Sequence, residues 1–231
     1  MKKVNPILIF LILLLGMIIF PYIPVELFHF NLNNLSQSMK ILYSFVCDIG
    51  FMIIIFLCYK EEMVNEFKEY FNNFKDNFKK SFKYYIIGFM IMVISNNLIS
   101  IFFAGANANN EEAVRSLIHL YPIYMLFSVS IYAPIVEETI FRRSFKDIFK
   151  LFNDTKMIKY LYISLSGLIF GLMHILGQTS SGTDYLYIIP YASLGCAFAA
   201  LYYRNDNLFS TIILHSLHNT VAVILFLWLG V

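Results

Sequence analysis

The sequence predicts an all-α, polytopic membrane protein with about seven transmembrane helices. The composition is 59% hydrophobic and 14% charged, against about 45–50% apolar and about 25% charged in soluble domains. The apolar residues gather in runs of about twenty, the length that crosses a hydrocarbon core as a helix. Lys and Arg, in turn, collect in alternate loops, which is the signature of a threaded chain.

The first span covers about Pro6–Ile23, after Lys2 and Lys3. A charged start before an apolar stretch also suits a signal peptide. No small-x-small cleavage site follows, however, and Phe20-Pro21-Tyr22-Ile23-Pro24 is bulky and rigid, so a retained helix is expected. The second span is about Ile41–Tyr59 and the third about Tyr84–Ala104. The fourth is about Tyr121–Phe141, with its helix continuing to about Phe152. Lys159–Leu176, Tyr185–Tyr203 and Leu208–Gly230 complete the set. One integral-membrane domain over 1–231 is expected, with no internal repeat or linker.

Of the 17 Lys and Arg residues, only Lys40 and Arg115 fall on one side when the N-terminus is placed inside. Positive charge stays cytoplasmic, so a cytoplasmic N-terminus and an extracytoplasmic C-terminus are expected. Between spans two and three, Phe67, Phe71, Phe74, Phe78 and Phe82 recur at steps of three and four among lysines and acids. That pattern predicts one amphipathic helix on the inner surface, read as an interfacial connector.

Several classes are disfavoured. No basic face interleaved with aromatics suggests nucleic acid. There is no Gly-rich phosphate loop, no His-Glu-x-x-His and no Gly-x-Ser-x-Gly. Cys47, Cys58 and Cys196 lie inside apolar runs and read as buried, inert thiols.

Ionisable groups inside spans are costly and by default mark function. Glu137 and Glu138 sit in the fourth span, His174 in the fifth, His215 and Asn219 in the seventh, and Asp48 in the second. Glu138 and Arg142 are four apart and can pair on one helix face. Glu137 points about 100° away. His215 and Asn219 share a face. An antiparallel hairpin hinged at Asn153-Asp154-Thr155 brings Glu137 and His174 to one depth. A carboxylate and an imidazole can hold and deprotonate water, and a His and an Asn can donate to an oxyanion. The same groups can ligate zinc, act as interhelical glue or relay protons in a transporter.

Glu137-Glu138-x-x-x-Arg142, Phe170-x-x-x-His174 and His215-x-x-x-Asn219 resemble, in order, the three motifs of the CaaX protease and bacteriocin-processing (CPBP, or Abi) family. The type II CaaX prenyl proteases belong to that family. The resemblance implies a CaaX-protease-like helical core over about 120–230 and an intramembrane endopeptidase of glutamate type, in a family often classed as metalloendopeptidases. It implies that Glu137 and His174 activate water, His215 and Asn219 form the oxyanion site, and Glu138 and Arg142 support them. A metal-free mechanism without cofactor is preferred. Zinc, held by Glu137, His174 and His215, is the alternative. The expected partners are a membrane-associated peptide or protein substrate and the lipid bilayer, in a bacterial cell membrane. Family analogy points to maturation of secreted peptides. The alternative function is bacteriocin self-immunity, or a membrane scaffold acting without catalysis.

Overall fold

Helix boundaries follow from local chemistry in the computed structural model, which describes residues 5–103, 109–176 and 182–229. Asn5 Oδ1 accepts the Ile7 N–H at 2.9 Å and Pro6 occupies the first turn of α1 (Pro6–Ile19), a position where proline's missing N–H costs nothing. The chain turns through Pro21 into α2 (Ile23–Phe28), which closes on His29 at φ 50°. Ser36 caps α3 (Gln37–Cys58). Next come α4 (Lys60–Asn72), α5 (Phe74–Phe102) and α6 (Asn109–Leu120).

The fourth long helix is composite. It runs as α7 (Pro122–Phe127), a π segment (Ser128–Tyr132), α8 (Ala133–Glu138), a second π segment (Thr139–Ser144) and α9 (Phe145–Phe149). Thr155 caps α10 (Lys156–Ile175), accepting the Ile158 N–H at 3.2 Å. After α11 (Ile188–Asn205), Asp206 turns at φ 49° and α12 (Phe209–Leu229) ends the described chain. No strand occurs among the described residues.

Seven helices are long and apolar enough to cross a membrane: Pro6–Phe28, Gln37–Cys58, Phe74–Phe102, Pro122–Phe149, Lys156–Ile175, Asp184–Asn205 and Phe209–Leu229. The expected all-α polytopic architecture is therefore observed. Leu8, Ile12, Leu42, Ile53, Ile87 and Ile94 point outward, as lipid-facing residues do. Lys2 and Lys3, and the expected span ends Ala104 and Gly230, lie outside the described residues.

The helix pair α10/α11 is packed most closely, because glycines line the seam. A Cβ on Gly167 would come 2.3 Å from Cys196 Sγ and 2.6 Å from Cys196 N, and one on Gly171 would come 2.9 Å from the Ile188 carbonyl oxygen. Lipid supplies no hydrophobic drive between helices, so close backbone approach through small residues substitutes for it. This seam carries Phe170 and Phe198, both buried, toward the centre.

Three expectations need correction. The amphipathic stretch is not one helix. It breaks at Asn73, where Asn77 Nδ2 donates to the Tyr70 carbonyl at 3.0 Å, and residues 74–83 begin the third span. The Phe stripe crosses the break as a ladder, with Phe71 and Phe74 stacked at 5.6 Å. Second, α6 was not anticipated. Its Glu111–Arg115 pair, at 2.6 Å, is the ordinary i,i+4 helix device. Third, the cysteines are free, but Cys58 is exposed and Cys47 alone is fully buried.

Candidate active site

The two π segments bracket the glutamate pair. π segments inside α-helices leave carbonyls without their usual donor and recur at functional sites. At each segment a backbone carbonyl accepts a side chain from another helix. The Phe141 carbonyl accepts the Ser166 hydroxyl at 2.7 Å, and the Val129 carbonyl accepts Asn219 Nδ2 at 2.7 Å. The same loose winding buries all six residues Thr139–Ser144, both arginines included.

Glu138, wholly buried, is the hub. Arg142 Nε donates to Glu138 Oε2 at 2.9 Å, one turn along the same helix. Arg142 Nη1 donates to Ser166 Oγ at 3.0 Å, and its guanidinium lies 4.8 Å from the Phe170 ring centre. His215 Nδ1–H donates to Glu138 Oε1 at 2.9 Å. Its other nitrogen, Nε2, faces Glu137 Oε2 at 3.8 Å. Glu137 and Glu138 thus meet the same imidazole from opposite edges, as their angular separation predicts. Glu137 keeps 19% side-chain exposure, and its Oε2 has no hydrogen-bond partner among the described residues.

His174 stands at the last turn of α10. Its Nδ1 is 2.8 Å from the Phe170 carbonyl. A carbonyl can only accept, so Nδ1 carries a proton, and in the neutral ring it is Nε2 that holds the lone pair. The ring is held between Phe170 (4.4 Å) and Tyr191 (4.6 Å, stacked). His215 also borders Phe170, at 5.8 Å, so the two histidines flank one aromatic ring. In the hairpin Arg142 sits beside Ser166 and Phe145 beside Tyr162. That register puts Glu137 level with Gly171 and His174 about one turn beyond, roughly 4.5 Å.

Depth is settled at the loop end. Glu137 lies roughly 18 Å along the helix from Phe149, but His215 only roughly 9 Å from the start of α12, at 1.5 Å per residue. They meet because Glu66 of α4 ties the two helices at different heights. It pairs with Arg143 through one carboxylate oxygen and accepts the Leu208 N–H at 2.7 Å through the other. The α9–α10 turn therefore projects past the first turn of α12. It is held there by Lys146–Asp206 (2.8 Å) and by the Tyr203–Asp154 hydrogen bond. Partial burial raises the Asp206 pKa, but the hydrogen bond and charge of Lys146 outweigh it and hold the carboxyl below its ordinary value.

Sequence reasoning missed Ser166, Tyr162, Glu66 and Pro134. Ser166 and Tyr162 are polar residues inside a span and carried the same weak signal as Asp48. Tyr162 donates to the Arg142 carbonyl at 3.2 Å. Asp48 itself is buried and accepts from Tyr124 at 3.1 Å, beside the first π segment. His218, next to the third motif, faces Tyr85 (3.2 Å) and Phe89, away from the glutamates.

A zinc site fits this arrangement poorly. A catalytic zinc takes three protein ligands, and no three His, Cys, Asp or Glu side chains among the described residues are grouped closely enough to hold a metal ion.

Residues 119–221, which include all three motifs, match the family described as Type II CAAX prenyl endopeptidase Rce1-like. That stretch is similar to the Rce1-like family over its motif-bearing helices. The chain is also similar to two bacterial proteins. The "Putative membrane peptidase YdiL" of Bacillus subtilis is 31% identical over 146 residues, covering 61% of this chain and 54% of the relative. The "Membrane-embedded CAAX protease MroQ" of Staphylococcus aureus is 28% identical over 146 residues, 60% of this chain and 56% of the relative. The chain spans about half the length of these curated relatives. No solved structure matches.

Proposed function

We propose that the chain is an intramembrane endopeptidase that hydrolyses a peptide bond of a membrane-associated peptide or protein with water activated by Glu137 and His174. The observation that carries this reading is the Glu137 carboxylate. It is mostly buried, one oxygen has no donor among the described residues, and it lies against the His215 imidazole that Glu138 fixes. A buried acceptor left unmatched by the protein suits a water or a substrate group.

Water donates one hydrogen to the Glu137 carboxylate and the other to His174 Nε2. Its oxygen then attacks the scissile carbonyl carbon while Glu137 takes the proton. The resulting oxyanion accepts from the Asn219 N–H not bound to Val129 and from His215 Nε2. With Nδ1–H given to Glu138, donation from Nε2 needs a second ring proton, one that is present before attack and stays on the ring through the cycle, so the water proton alone passes to Glu137 and on to the amine. Collapse breaks the C–N bond and the proton on Glu137 passes to the leaving amine. Glu138 and Arg142 hold His215 in register. No metal takes part.

Maturation of secreted peptides is the proposed role, in a bacterial cell membrane with the N-terminus cytoplasmic and the C-terminus extracytoplasmic. The charge asymmetry of the loops supports that orientation, and the likeness to two bacterial proteins named as membrane peptidases supports the peptidase reading.

The test is mass spectrometry of membrane and secreted peptides from cells carrying the natural chain or Glu137→Gln. That variant keeps the shape and removes the base. Cleavage should fall at least about 10²-fold, the usual scale for a lost general base, at normal protein level. Undiminished biological activity in both Glu137→Gln and His174→Ala would overturn the reading in favour of immunity or scaffolding without catalysis.

A further inference from the structure

Asn219 is held by a backbone carbonyl that ought not to be available inside a helix. In the first π segment the N–H of Ala133 reaches back five residues to the Ser128 carbonyl. The N–H that would serve the next carbonyl, Val129, belongs to residue 134. Residue 134 is proline and has none. The Val129 carbonyl is left facing α12, and Asn219 Nδ2 donates to it at 2.7 Å.

We propose that Pro134 is a positioning residue for Asn219. By withholding one backbone N–H, it frees the Val129 carbonyl to anchor the Asn219 amide. The inference rests on the peptidase reading for its kinetic consequence, but not for its structural one. A carbonyl only accepts, so the contact fixes which end of the amide is nitrogen. The amide plane is then set, and the second N–H has one direction. A donor fixed before the reaction stabilises developing charge without having to reorganise. Pro134 is buried and lies three residues before Glu137, so one local device sets the helix carrying the base and the side chain that faces the oxyanion.

An ordinary residue at 134 would supply the N–H, and the Val129 carbonyl would return to its own helix. Asn219 would lose its anchor. A proline kept only for helix geometry makes the opposite prediction. Relieving it should stabilise the protein, since proline is the poorest residue in a helix interior, and Asn219 should be unaffected.

The experiment compares full-length natural chain, Pro134→Ala and Pro134→lactic acid, the last introduced by nonsense suppression. The ester of lactic acid lacks the N–H as proline does, but has no ring. The first readout needs no substrate. Side-chain amide NMR of the protein labelled with nitrogen-15 asparagine, in detergent, should show one slowly exchanging, downfield Asn219 amide proton, assigned by its loss in Asn219→Ala. Pro134→Ala should shift it to the position of a solvated amide, and Pro134→lactic acid should keep it.

The second readout is cleavage of the peptide whose processing requires Glu137. Pro134→Ala should lower kcat by about 10- to 100-fold with KM unchanged, below the 10²–10³ expected for losing an oxyanion donor outright. In an Asn219→Ala background the same change should alter kcat by less than about twofold, because positions that act through each other are not additive. An unshifted amide in Pro134→Ala, equal loss in the alanine and lactic acid variants, or full additivity with Asn219→Ala would each overturn the proposal. If no Glu137-dependent peptide exists, the peptidase reading fails while the amide readout still decides this one.

Discussion

His215 Nδ1 lies 2.9 Å from Glu138 Oε1, and neither side chain is open to solvent. One imidazole edge is therefore bound to a carboxylate that Arg142 already holds. The other edge is left toward Glu137. The relationship assigns the two adjacent glutamates different work: one fixes a histidine, and the other faces its free edge with an unmatched oxygen among the described residues.

Removing one partner of a buried charge pair costs about 3–5 kcal/mol, because the other charge stays behind uncompensated. Glu138→Gln should destabilise by that order, and Arg142→Lys should destabilise as well because a point ammonium cannot replace the planar fork. Glu137→Gln should unfold like the natural chain. Thermal unfolding in detergent checks all three, and equal stability of Glu137→Gln and Glu138→Gln would refute the division of labour.

The α10/α11 seam tolerates no side chain at residue 167. Gly167→Ala should destabilise by at least about 1–3 kcal/mol, the usual cost of overpacking. Adding Cys196→Ala should not restore stability, since the new Cβ also meets the Cys196 backbone nitrogen at 2.6 Å. Full rescue by the double variant would show that the helices separate freely.

On the metal-free mechanism, purified protein should hold less than stoichiometric zinc and keep its activity through prolonged chelation. His215→Gln should retain measurable turnover, about 10²–10³ below the natural chain, as for a lost oxyanion donor. Activity lost to chelator and regained with zinc would replace this mechanism and leave the peptidase reading in place.

Topology is open to single-cysteine labelling in a chain otherwise free of cysteine. A cysteine at Asn72, at the end of α4, should react from the cytoplasmic side, and one at Ser116, on the exposed face of α6, from outside. Labelling with the sides exchanged would invert the proposed orientation.

The pairing of Glu138 with Arg142, and the different facing of Glu137, were legible in the sequence because helix geometry is local: a four-residue step returns to the same face. Span number and the three ordered motifs were legible for a similar reason, since hydrophobic length and residue spacing need no knowledge of neighbours. The Asn73 break was not, because a uniform Phe stripe continues straight across it and the corner depends on Asn77 reaching the Tyr70 carbonyl. That Glu137 and His215 share one site was expected from the motifs and their depths, but how the two helices are offset to bring them together was settled by tertiary structure. Measured along their own helices they lie at unequal depths, and it is Glu66, on a third helix, that offsets the two by binding Arg143 and the Leu208 N–H together. The proton position on His174 and the anchoring of Asn219 likewise came from the fold, because each depends on a backbone carbonyl whose availability is fixed only once the helix around it is wound.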